Sequence, residues 1–184
     1  MSTLAHTADM DLRFFEAIVP KAYPKSSPYF RKVMQHLLRD GVIHIETLFE
    51  KAVSKVGKLD RNSVHGEDFI DGTDAKKSTV RWSSKRTSYT APIHRVHTKN
   101  GALRVMVYER QQDKFYYFII PHHAFQHVPA NSNIEIPFEL DGTPRRVPKR
   151  TVIQNWWEYE VKSFKKMATL TTVKGVKRNK PVSK

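Results

Sequence analysis

The 184-residue chain has no cysteine, which excludes disulfides, thiolate zinc sites and a cysteine nucleophile. It also lacks an uninterrupted apolar run long enough to span a bilayer. Its first residues, Met1 to Asp11, carry acidic groups ahead of any apolar stretch, the reverse of a secretory leader. These absences predict a soluble, intracellular (cytoplasmic) protein that does not enter a membrane. Carboxylates are scarce as well: 18 Asp and Glu stand against 32 Lys and Arg, a formal charge of +14. Hydrophobic residues at 39% and aromatics at 11% still support a folded core, and the length suits one domain.

The basic excess is uneven. Residues 1–75 hold ten Lys and Arg against eleven Asp and Glu, residues 76–114 ten against two, and residues 141–184 twelve against three. Such blocks suit a polyanion, whose counterions Lys and Arg displace, so nucleic acid is the partner they predict. A solvated basic surface without a site is the alternative. No basic amphipathic helix stands out to favour a membrane surface. Lys77, Arg81, Lys85 and Arg86 lie in or beside a hydroxyl-rich stretch suited to phosphate contact, where Trp82 or Tyr89 either stacks on a base or turns inward. Arg145, Arg146, Lys149 and Arg150 form a second basic run, and residues 169–184 a flexible basic tail.

Apolar spacing predicts helices over 10–19, ended by Pro20, over a segment capped by Ser27 with Pro28 in its first turn, and over 43–56, stopped by Gly57. Residues 92–97 suit an edge strand, 102–109 and 114–120 are clear strands, and 134–140 is another. A last helix is expected over 151–168, capped by Thr151, with Trp156, Trp157, Val161 and Phe164 on its buried stripe. His123 and His127 are spaced as a helical pair could be for zinc, but no third ligand accompanies them, and a surface turn is the simpler reading. The sum is an α/β (α+β) fold. Helices in 1–58 precede a central mixed sheet of about four to five strands in 64–140, flanked by the C-terminal helix, within one domain over 1–168.

Four of the few carboxylates, Glu67, Asp68, Asp71 and Asp74, fall within eight residues. They read as a hairpin turning at Gly72-Thr73, with Phe69-Ile70 before the turn and Thr79-Val80 after it. Alternation along the second strand puts Asp74 and Lys76 on one face. Acids that hold a divalent ion beside an ammonium group are suited to phosphodiester hydrolysis.

The run Asp68-Phe-Ile-Asp-Gly-Thr-Asp74-Ala-Lys76 resembles the PD-(D/E)xK nuclease motif, in the compact form of mismatch-repair nicking endonucleases and related restriction enzymes. The resemblance implies a restriction-endonuclease-like core and a Mg²⁺- or Mn²⁺-dependent DNA endonuclease of restriction, homing or repair type. Double-stranded DNA is the implied substrate and a homodimer an implied assembly. Asp68, Asp74 and Lys76 would be catalytic. Asp68, Asp74 and the Ala75 carbonyl would ligate the metal, with Asp71 as a substitute first carboxylate and Glu50 lent by the preceding helix. On its residues alone, Glu50 equally suits a solvated pair with Lys51 or Lys55. A non-catalytic DNA- or RNA-binding protein, in which the acids only cap turns or pair with Lys76, Lys77 and Arg81, is the rival reading.

Overall fold

A computed structural model describes residues 3–62, 67–84, 87–96, 101–129, 131–145 and 156–170, with the side chains of 3–10, 156 and 157 also outside the description. Three helices come first: α1 (Thr3–Ala22), α2 (Pro28–Arg39) and α3 (Ile45–Gly57). As the sequence predicts, Ser27 caps α2, its hydroxyl accepting from the Phe30 N–H at 3.1 Å. Helix α1 runs past Pro20, which the sequence reading expected to end it. Pro20 removes one helical donor, but Val19 before it and Ala22 beyond it are buried, and the Tyr23 N–H still reaches the Val19 carbonyl at 2.8 Å. Among the described residues no helix is long and apolar enough to cross a membrane.

Seven strands follow: β1 (Asp74–Thr79), β2 (Arg81–Ser83), β3 (Ser88–Ile93), β4 (Leu103–Glu109), β5 (Lys114–Ile120), β6 (Ile134–Phe138) and β7 (Glu160–Val161). They form a mixed four-stranded sheet in the order β1-β4-β5-β7 and a three-stranded sheet in the order β2-β3-β6. Strand β1 lies parallel to β4, with Asp74 opposite Leu103, and every other strand pair is antiparallel. Met106, Tyr108 and Ile119 meet Phe14, Ile18, Phe49 and Val53 of the helices on one face. On the other, Val105, Val107, Phe118 and Ile120 meet Ile93, Ile136 and Phe138 of the second sheet. The larger sheet is therefore covered on both sides, which explains why all of β4 is buried. The domain is α/β, as expected, with a second sheet that the sequence pattern did not separate from the first.

Pro92 sits in the middle strand of the smaller sheet. It is tolerated because β2 pairs with β3 only as far as Thr90, so beyond that point β3 is an edge.

Two expectations are corrected. The acidic stretch is not a hairpin: residues 67–73 form a bend and turn, and only β1 is a strand. Short Asp side chains take the main-chain donors there, with Asp71 Oδ1 accepting from the Thr73 N–H at 3.1 Å and Asp68 Oδ2 from the Ala75 N–H at 2.7 Å. The C-terminal segment is also not one helix. Trp156–Tyr159 is a 3₁₀ turn, Glu160–Val161 adds to β5, and Ser163 then caps a short helix, α4 (Phe164–Thr169). Thr151 and the tail from 171 onward lie outside the described residues.

One buried cation holds these parts together. Arg104 on β4 is 1% exposed. Its guanidinium donates to the Met167 carbonyl and, at 3.2 Å each, to those of Ala168 and Leu170, filling acceptors left open at the end of α4. Its Nη2 lies 3.7 Å from Asp71 Oδ2. Arg104 thus ties β4 to the end of α4 and to Leu170. Arg104→Met should cost about 3 kcal/mol or more in urea denaturation, because it leaves the carbonyls of Met167, Ala168 and Leu170 without their donor and Asp71 without its ion-pair partner. Arg104→Lys should recover little of that loss, since an ammonium cannot reproduce the planar fork. A loss below about 1 kcal/mol for Arg104→Met would contradict this role.

Candidate functional site

The free edge of β1 gathers four groups singled out from the sequence. The Asp74 N–H is directed inward, to the Ala102 carbonyl at 3.1 Å, whereas the Ala75 N–H turns outward to Asp68. Within a strand a residue's N–H and C=O point to the same side, so the Ala75 carbonyl faces the free edge with Asp68. Asp68 is held there by its loop: its own carbonyl accepts from Asn62 at 2.8 Å, and the next two residues bond to Thr73 and Asp60.

Asp74 is the most constrained member. Its side chain is 0% exposed. Lys76 Nζ lies 2.9 Å from Asp74 Oδ2 as an ion pair, and no described group donates a hydrogen bond to Oδ1. Burial, then the adjacent Asp68 carboxylate, pushes the Asp74 carboxyl up to about 8, against the pull of Lys76. Glu50 reaches toward the same cluster from α3. Its side chain is 21% exposed and pairs with Arg61 rather than with Lys51 or Lys55. Burial and then Asp68 raise its affinity for a proton, while Arg61 and Lys76 lower it.

Other candidates are used elsewhere. Asp71 caps its own turn with Oδ1, which also accepts from the Thr73 hydroxyl at 2.7 Å, and turns Oδ2 to Arg104. It therefore serves the loop and does not substitute for Asp68. Lys77 points to the opposite face of β1, between Asp11 at 3.1 Å and Glu46 at 3.2 Å and over the Phe14 ring. It ties the sheet to α1 and α3 and is not a free phosphate contact. Arg145 pairs with Glu139 at 3.0 Å. Arg81 is exposed on β2, as is Trp82, at 50%, with its ring edge-on to Tyr89. Lys85, Arg86, Arg146, Lys149 and Arg150 lie outside the described residues. His123 and His127 are exposed after β5, where His123 meets the Tyr159 ring.

The sequence reading missed Arg61, whose pairing with Glu50 bridges α3 to the acidic loop; nothing in its spacing signals that contact. Among the described residues, no three His, Asp or Glu side chains form a metal cage by themselves. A divalent ion would therefore draw on the Asp68 and Asp74 carboxylates and a main-chain oxygen, with water and substrate completing its shell, a common arrangement for Mg²⁺. The buried Asp74 Oδ1, without a described donor, fits such an ion. Compared with protein-family models, curated proteins and solved structures, the chain matches none of them, so its reading rests on its own residues.

The buried carboxyl has a consequence for stability. With its proton affinity raised from 3.8 to about 8, the folded chain binds more protons than the unfolded chain across that interval. The contribution of Asp74 is thus fully present below pH 3.8 and lost as pH rises to about 8. Without divalent cations, urea denaturation from pH 5 to 8 should show Asp74→Asn gaining steadily on the parent. A stability difference that does not change with pH would refute the buried carboxyl.

Proposed function

We propose that the chain is a metal-dependent endodeoxyribonuclease of the PD-(D/E)xK superfamily, hydrolysing double-stranded DNA at the free edge of β1. The observation that carries the proposal is the Asp74 carboxylate, fully buried beside Asp68, with Lys76 paired to Oδ2 and no described donor to Oδ1. An acid that only capped a turn would resemble Asp71, with both oxygens engaged; Asp74 caps nothing. Mg²⁺ or Mn²⁺, held by Asp68, Asp74 and the Ala75 carbonyl, would supply Lewis-acid polarisation of the phosphate and an activated water.

The chain's own residues account for the remaining tasks. Hydrolysis joins a water oxygen to phosphorus, breaks one P–O bond to a sugar and delivers a proton to the departing oxygen. Lys76 Nζ, steadied by Asp74, donates to the phosphate oxygens on which negative charge accumulates. Glu50, with its raised proton affinity, accepts the proton lost by the water. The Ala75 N–H fixes Asp68, so the carboxylates need little rearrangement on binding. The +14 charge and the exposed Arg81 and Trp82 favour DNA as the substrate.

Plasmid nicking in Mg²⁺ tests the proposal. Asp74→Asn should reduce cleavage by orders of magnitude while DNA binding without metal stays level or tightens slightly, because Asn removes only the ionised fraction of a carboxyl raised to about 8. Lys76→Ala should also abolish cleavage but weaken binding slightly. Parental cleavage by Asp74→Asn would remove the edge of β1 as an active site.

A further inference from the structure

Away from the β1 edge, the loop between α1 and α2 and the outer side of α3 line an open cavity of about 840 Å³. That volume is within the range of small-ligand sites, roughly 300–1,000 Å³. Tyr23 and Phe30 contribute rings to its wall, with centroids 5.1 Å apart. Three ammonium groups border it: Lys25 from the loop, and Lys51 and Lys55, one turn apart on α3. No Asp or Glu lines it.

The lysines are not equivalent. Lys51 donates to the Tyr23 hydroxyl at 3.0 Å and lies 4.3 Å from the centre of that ring, so it is held in place. Lys25 and Lys55 are exposed, and among the described residues no carboxylate pairs with either. Helix α2 starts at the same rim, and its positive end adds to the field. Exposed lysines in so basic a chain are commonly just solvated. Here they converge on one aromatic-walled cavity without a counter-charge, an arrangement suited to a ligand that is anionic at one end and flat and apolar at the other.

We infer that this cavity binds a nucleoside phosphate, its phosphate between Lys25 and Lys55 and its base against Phe30. Lys51 already covers Tyr23, leaving Phe30 as the stacking surface. Two sources share this chemistry: a free mononucleotide, or one nucleotide of a bound strand. The inference does not depend on hydrolysis at β1, because no member of the Asp68–Asp74 cluster lines the cavity.

The test uses the full chain without metal. AMP, adenosine and inorganic phosphate are titrated by calorimetry, and a labelled single-stranded oligonucleotide by fluorescence anisotropy. Lys25→Gln/Lys55→Gln is compared with Lys165→Gln/Lys166→Gln, which removes equal charge from the exposed side of α4. AMP should bind more tightly than adenosine or phosphate. The cavity variant should lose about tenfold or more in affinity, and the α4 variant should not. A selective loss for the oligonucleotide identifies the strand as the source, and a selective loss for AMP alone identifies the free nucleotide. Asp74→Asn should leave both affinities unreduced, which separates this site from the hydrolytic one. Equal affinities in the two double variants, for AMP and oligonucleotide alike, would overturn the inference.

Discussion

A carboxylate taken out of water beside a second carboxylate is the constraint on which the site depends. Burial of a lone charge costs several kcal/mol, and Asp68 adds repulsion. Lys76 offsets part of that cost at Oδ2, but no described group donates to Oδ1. The group must therefore hold a proton or accept a cation. The surrounding fold prevents a third escape, rotation into solvent, because Asp74 opens a strand whose partner β4 is buried along its whole length.

That strand is kept in place by charges on both sides of one short loop. Asp71 leans on Arg104, which in turn gathers the last carbonyls of α4, while Asp68 leans on the Ala75 N–H. Gly72 and Gly101 let the loop rest directly on the chain entering β4; a Cβ on Gly101 would collide with the Gly72 carbonyl. From the helix side, Lys77 joins Asp11 and Glu46, and Glu50 joins Arg61. The acidic loop is thus tied to α3, α4 and β4 together, which gives a two-carboxylate site the stiffness that a loop alone would lack.

Features set by near neighbours in the chain were legible in the sequence. The Ser27 cap, the apolar face of α3, β4, β5 and the shared face of Asp74 and Lys76 all follow from local sequence. What depended on distant contacts was not. The expected hairpin failed because Asp68 and Asp71 bond to the main chain instead of letting residues 67–73 extend. The expected last helix failed because Glu160 and Val161 find a strand edge on β5. Charge runs misled in a different way. Lys77 and Arg145 counted as cations in the sequence, yet each has an acidic partner only the fold reveals. Arg104 counted toward the basic block of residues 76–114 and is almost wholly buried.

The most direct measurement is binding of Mn²⁺ to the intact chain, followed by calorimetry with and without an uncleavable DNA duplex. The account predicts saturable binding that Asp74→Asn abolishes and Asp71→Asn retains, because Asp74, unlike Asp71, is fully buried and keeps an oxygen without a described donor. Absence of Mn²⁺ binding in both conditions, or binding that Asp74→Asn leaves intact, would contradict it.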